Sequence, residues 1–205
     1  MTERATGSND YAAPIVQTAA ALFARQGYRG TSMRDIGRAV GVHAGSLYVH
    51  ISSKEDLLEE IVFHIMERSE QDMADVLAGG GTATEQLYRI AAKDLELIGE
   101  NKEFATVFFH EWRNLSEERQ QKVIASRDRW EANLRSVLAR GIATGEFRDI
   151  EPRIAGIALT SILNWAYVWY SPDGDLSTDQ LAKRFVDIVI NGIRAPRKGG
   201  EMGVG

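Results

Sequence analysis

The chain reads as a succession of helices separated by polar and glycine-bearing breaks. Apolar residues recur at steps of three and four, and no stretch sustains strand alternation or sets an Asn-Gly or Asp-Gly hairpin between β-branched runs. An all-α fold of about nine helices is expected. The first covers about residues 10–26, with Ile15, Ala19, Leu22 and Phe23 on one face, Pro14 near its first turn and Gly27 as its C-cap. Ser32 with Asp35 opens a short second helix that Gly41 stops, and a third takes about residues 44–50. Ser52 with Glu55 fits a capping box for a long fourth helix ending at Gly79-Gly80-Gly81. Thr82 with Glu85 opens a fifth, closed at Gly99, and a sixth, rich in aromatics, follows over residues 102–114. Ser116 caps a seventh reaching about Thr144. Pro152 sits at a favoured first-turn position for an eighth through Trp165 and Trp169 to Tyr170. Ser177 with Gln180 caps a ninth through Ile193, and beyond Pro196 the chain is too polar to fold.

The front of this pattern has a particular shape. Two short helices meet at a tight turn at Gly41, with a third of the module ahead of them, which is a helix-turn-helix arrangement. Met33, Ile36, Val40, Val42 and Leu47 supply its inner face. On the outer face, Ala44, Gly45 and Ser46 are small enough to let the backbone approach base edges in a major groove. His43, Tyr48 and His50 add hydrogen-bonding groups beside the phosphates, and Lys54 opens the fourth helix, where a helix N-terminus already favours an anion.

Charge sharpens that expectation. The chain carries a formal charge of −5 over 205 residues, but residues 1–54 hold six basic against three acidic side chains, while the remainder is acidic. A basic front on an acidic whole suits a module that meets a polyanion. No apolar run approaches the roughly eighteen residues of a membrane span, and no signal peptide is recognisable, so a cytoplasmic protein without a membrane partner is expected. Zero cysteines exclude disulfides, thiolate metal sites and a Cys nucleophile. The four histidines, His43, His50, His64 and His110, show no H-E-x-x-H spacing, and there is no G-x-S-x-G, P-loop or dinucleotide glycine pattern. No catalytic or metal site and no required cofactor are expected. An α-helical lipid-modifying enzyme remains only a remote alternative.

The motif set "AALFARQG" (20–27), "GTSMRDI" (30–36), Gly41-Val42, Gly45-Ser46-Leu47-Tyr48, His50 and "SKEDLL" (53–58) resembles the TetR family of bacterial transcriptional regulators. The chain departs from it at His43, often Ser or Thr in that family, and at Ile51, often Phe. The resemblance implies a DNA-binding head over residues 9–69, a ligand-binding and dimerisation body over 70–195, and a flexible tail over 196–205. Carried over by position, it points to Ser32, Arg34, His43, Ala44, Gly45, Ser46, Tyr48, His50 and Lys54 as contacts to double-stranded operator DNA. It also implies a homodimer built on the last two helices, where Ile154, Ile162 and Trp169 face Phe185, Ile188 and Val189 in apolar stripes wider than one core contact requires.

For the body, Phe104, Phe108 and Trp112 crowd the sixth helix, and Arg127 falls in the apolar seam of the seventh beside Trp130. A guanidinium buried there needs an anion: an internal carboxylate such as Glu111 or Asp94, or an anionic group of a ligand. Residues 104–193 more loosely resemble TetR members that respond to acyl-CoA thioesters in fatty-acid or steroid breakdown. That implies an apolar tunnel for the acyl part and basic residues, with Arg113, Arg127 and Arg129 as candidates, for the CoA phosphates; Asn164 and Trp165 complete the expected lining. The competing expectation is a regulator of efflux that senses lipophilic cations through Trp112, Glu111 and Trp165.

Overall fold

The computed structural model describes residues 12–49, 51–171 and 173–191, and among these every regular element is a helix. The order is α1 (Ala12–Gln26), α2 (Met33–Val40), α3 (Ala44–Leu47), α4 (Lys54–Ala78), α5 (Ala83–Glu100), α6 (Lys102–Glu111), a 3₁₀ turn (Trp112–Asn114), α7 (Glu117–Ala143), α8 (Pro152–Asn164), α9 (Ala166–Trp169) and α10 (Thr178–Asn191). The expected His50 contact, the end of the expected ninth helix at residues 192–193 and the tail over 196–205 lie outside the described residues.

The caps explain most of the boundaries. Ser32 and Asp35 form a reciprocal capping box at α2, and Thr82 with Glu85 does the same at α5. At α10, Ser177 and Gln180 exchange the equivalent bonds at 3.0 and 3.2 Å. The cap of α4 is shifted by one residue from expectation: Ser53 accepts from the Asp56 N–H at 3.1 Å. That shift leaves the Glu55 carboxylate to accept from the backbone N–H of Ser116, 2.7 Å away. The single long helix expected through Tyr170 is instead two, because at Trp165 the α-helical ladder gives way to a tighter bond from Val168 N–H to the Trp165 carbonyl at 3.2 Å.

Two apolar cores stack along α4. The first joins α1, α2 and α3 to Leu57, Leu58, Ile61, Val62 and Ile65 of α4, and also draws in Leu97, Phe104, Val107, Trp112, Leu115 and Val123. The second gathers Met73 and Val76 of α4 with α5, α7, α8, α9 and α10. The division expected between residues 69 and 70 therefore falls inside one continuous helix that belongs to both cores. Burial of this kind stabilises by about 25 cal/mol per Å² of apolar surface removed from water. It also means that α4 cannot shift at one core without disturbing the other.

Candidate functional site: a helix-turn-helix head and an arginine-edged chamber

The head presents α3 outward. Gly41 has φ of +82°, the left-handed value a β-carbon resists, so the chain can reverse there between α2 and α3. Inside the turn, Met33, Ile36 and Leu47 are buried; Val42, expected to join them, is 40% exposed. Arg34, His43, Gly45, Ser46 and Tyr48 are all exposed. A β-carbon on Gly45 would meet nothing within 4 Å, so the fold itself places no limit on size there. That leaves a slim, outward surface of the kind that enters a groove.

Two of the expected DNA contacts have other work. The Ser32 hydroxyl is taken up by Asp35 in the α2 cap, and that bond holds the Asp35 carboxyl below its usual range. Lys54 is engaged more fully. Its ammonium donates to the Tyr28 and Thr31 carbonyls, each at 2.8 Å, and lies 4.1 Å from the centre of the Tyr28 ring. Burial lowers its pKa, with Glu111 acting in the opposite sense. Lys54 thus ties the α1–α2 turn to α4 instead of standing free for a phosphate, because the α4 N-terminus lies directly under that turn. Arg29 adds a second tie, donating to the Asn114 side chain at 2.9 Å.

In the body, a cavity of about 90 Å³ lies between α4, α5, α6, α7 and α8. Ile65, Met66, Leu97, Ile98, Phe108, Phe109 and Trp130 make its apolar wall, and Glu70, Asp94, Ser126, Arg127 and Asn164 interrupt it. A second, more polar cleft of about 210 Å³ adjoins it, sharing Arg127, Glu131, Thr160 and Asn164. Its walls are two facing helical rows: Arg127, Glu131 and Arg135 step by four along α7, while Arg153, Ile157 and Ser161 do so along α8. Glu131 approaches Arg135 at 3.8 Å; Arg127 and Arg153 make no ion pair among the described residues. Three guanidinium groups against one carboxylate make this cleft attractive to an anion.

Of the expected ligand residues, the structure gathers Phe108, Arg127, Trp130 and Asn164 on the cavity wall and disperses the rest. Phe104 and Trp112 are buried in the head-side core. Arg113 is exposed and stacks on Trp112, its guanidinium 4.6 Å from the ring centre. Arg129 pairs with Glu70 at 2.5 Å, and Trp165 is 61% exposed on the outer face. Arg127 is not buried in a seam and pairs with neither Glu111 nor Asp94, because α7 turns its side chain toward the cleft. Residues not anticipated include Arg135 and Arg153, whose four-residue spacing on α7 and α8 was a readable signal.

The outer face of α8, α9 and α10 is apolar and open. Ile154 is 52%, Ile157 49%, Trp169 47% and Ile188 48% exposed, while Ile162, Phe185 and Val189 are half-buried. Phe185 meets Trp169 edge to face with ring centres 6.0 Å apart.

Two family models match separate parts of the chain. Residues 15–61 match the model for bacterial regulatory proteins of the tetR family, and residues 80–193 match the tetracyclin repressor-like C-terminal domain. The HTH-type transcriptional repressor KstR2 of Rhodococcus jostii is 28% identical over 193 residues, covering 93% of this chain and 95% of that protein. The ketosteroid transcriptional regulator KstR2 of Mycobacterium tuberculosis superposes with a TM-score of 0.85 at 26% identity, over 95% of this chain and all of that one. AibR, solved with isovaleryl coenzyme A and operator DNA, superposes at 0.77 with 26% identity, over 88% of this chain and 97% of that one. With an outward α3 on a basic head, and with a family model spanning more than half its length, the chain belongs to the TetR family of helix-turn-helix transcriptional regulators, which bind DNA and are not enzymes.

Proposed function

We propose that the protein is a homodimeric repressor of a lipid- or steroid-breakdown operon, released from its operator by an acyl-CoA thioester. The observation that carries this reading is the pairing of an apolar chamber with an arginine-lined cleft, joined at Arg127, Glu131, Thr160 and Asn164. A thioester of coenzyme A has the same two-part chemistry: an acyl group that gains by leaving water, and phosphates that bidentate guanidinium groups hold. The resemblance to AibR, which was solved with isovaleryl coenzyme A, supports this class of effector, and the resemblance to the ketosteroid regulator KstR2 supports a steroid-breakdown operon. The exposed apolar face of α8, α9 and α10 supports an isologous dimer that spaces two heads along one duplex.

A second reading has one observation in its favour. Glu70, Asp94 and Glu131 line the same cavity as Phe108 and Trp130, which would suit a lipophilic cation. Two of these acids are already engaged, Glu70 by Ser126 and Arg129 and Glu131 by Arg135, so less negative charge is free for a cation than the roll of side chains suggests.

The test is direct. Operator duplex is selected from a random pool by the purified protein, and its release is titrated with decanoyl-CoA, free coenzyme A, decanoate and tetraphenylphosphonium. Release by the thioester alone, at concentrations where its two halves fail, is the expected outcome. Release by tetraphenylphosphonium without the thioester would replace this reading with the cation sensor.

A further inference from the structure

Within the chamber one carboxyl stands apart. Asp94 follows Ile90 and precedes Ile98 by four residues each, so it sits in the apolar stripe by which α5 faces the cavity. The other wall acids are engaged: Glu70 accepts from Ser126 and Arg129, and Glu131 lies by Arg135. Thr160 directs its hydroxyl to the Gly156 carbonyl at 2.8 Å. Asp94 makes no hydrogen bond or ion pair among the described residues. It shares the cavity wall with Ile65, Leu97, Ile98 and Phe109 and with the polar Ser69, Arg127 and Asn164, and the buried Asp72 of α4 acts on it.

A polar group without a protein partner in a cavity wall carries a desolvation cost once a ligand displaces water from it. A ligand that gives it a partner removes that cost, and an otherwise identical ligand without the partner does not. We propose that Asp94 is the specificity-determining residue of the effector chamber, and that its carboxyl donates a hydrogen bond to a carbonyl oxygen on the buried part of the ligand. The effector class is then an oxo-bearing apolar molecule and not a plain hydrocarbon chain. The inference rests on the chamber being the effector site.

The chemistry of the group fits a donor. Burial pushes Asp94 up to about 7, and the nearby Asp72 acts in the same direction. The charged groups facing this region are Arg68, Glu70 and Asp72 from α4, Lys93 and Glu96 from α5 itself, and Arg127 and Glu131 from α7. Arg68 is bound to Asp72 at 3.2 Å and Lys93 to Glu96 at 2.8 Å, while Arg127 of the same wall makes no ion pair with Asp94. Below neutrality Asp94 is a carboxylic acid, able to donate to a carbonyl oxygen; above it, the carboxylate can only accept.

The experiment measures binding of decanoyl-CoA, 9-oxodecanoyl-CoA and 9-aminodecanoyl-CoA to the full chain, and to Asp94→Asn and Asp94→Ala, by calorimetry at pH 6 and pH 8.5. The wild type should bind the oxo compound at least about tenfold tighter than the plain chain at pH 6. The preference should fade at pH 8.5, persist at both pH values in Asp94→Asn, whose amide still donates, and vanish in Asp94→Ala, where decanoyl-CoA binds undiminished. An equal preference in wild type and Asp94→Ala, no preference in the wild type, or preference for the amine would each overturn the proposal. If no thioester binds, the coenzyme A reading has failed while this one is still measured: 1-indanone and indane are then compared by thermal shift in the same three proteins. An Asp94-dependent gain for the ketone supports the proposal, and equal shifts overturn it.

Discussion

Arg119 of α7 holds Asp56 of α4 at 2.7 Å, and the same guanidinium reaches Glu59 at 3.1 Å and Glu55 at 3.3 Å. A body helix therefore grips the first turns of the helix that follows the DNA-facing segment. Seven residues further along α7, on the same side, come Ser126 and Arg127 of the cavity wall. Movement of α7 against a ligand has a short, polar route to the head.

Arg119→Ala leaves three carboxylates facing one another and is expected to cost about 1–2 kcal/mol at pH 7. Asp56 is held low chiefly by the Arg119 hydrogen bond, and Glu55 chiefly by the Ser116 N–H. Their contribution is present above the unfolded carboxylate values near 4 and is lost as pH falls through the lower folded ones. The deficit of the variant should therefore be full at pH 7 and small at pH 3 in urea unfolding. An equal deficit at both pH values counts against the clamp. The variant should also bind operator within a few-fold of wild type, yet respond to effector more weakly.

Lys54→Met should destabilise the head by about 1–3 kcal/mol, since it removes the donor to two carbonyls. It should leave the salt dependence of operator binding unchanged. Arg34→Gln, which removes an exposed charge at α2, should flatten the slope of log affinity against log salt by about one unit while stability holds. The reverse pattern in the two variants would restore Lys54 as a phosphate contact.

The head was legible because its signals are local. The capping box at Ser32, a left-handed glycine at 41 and a run of small residues are each readable within four positions. The chamber was not, because its wall comes from five helices whose rotation about their axes depends on distant packing. Phe104 and Phe108 share α6 and Trp112 follows in the 3₁₀ turn, yet Phe104 and Trp112 turn into the head-side core and only Phe108 meets the cavity. The ties made by Lys54 were hidden for a related reason: its partners, the Tyr28 and Thr31 carbonyls, are more than twenty residues away in sequence. Asp94 did carry a signal, a carboxylate stepping in phase with Ile90 and Ile98.

Gly45→Trp should abolish operator binding without unfolding the protein. A β-carbon at this position meets nothing within 4 Å, so a side chain there projects outward and costs the fold little. In a groove it would hold α3 away from the base edges. The check is operator binding alongside the thermal midpoint. Normal binding by a folded Gly45→Trp would mean that some other surface meets the DNA.

Asp94→Asn should change the pH dependence of stability in the absence of any effector. With a folded pKa of about 7 and an unfolded value near 3.9, the native state binds the extra proton between those limits, so wild-type stability falls as pH rises from about 4 to 7 and levels off above. The asparagine variant has no such proton. Relative to wild type it should gain on the order of 2 kcal/mol between pH 5 and pH 8. Parallel curves for the two proteins would show that Asp94 ionises freely.

Ile188→Glu tests the dimer face. Ile188 on α10 and Trp169 on α9 are about half exposed, and a carboxylate at 188 can stay hydrated in a monomer, so the helical fold should survive. In a two-fold interface the substituted side chain appears twice, and two buried like charges oppose association far more than one exposed charge disturbs the subunit. Sedimentation should show a monomer at micromolar concentration with unchanged helix content. Because each head then finds its half-site alone, operator affinity should fall about 100-fold or more, while weak binding to random duplex persists. Phe185→Glu would not serve the same purpose, since Phe185 packs against the body core and its loss would unfold the subunit itself. A dimeric Ile188→Glu with full operator affinity would move the interface away from α10.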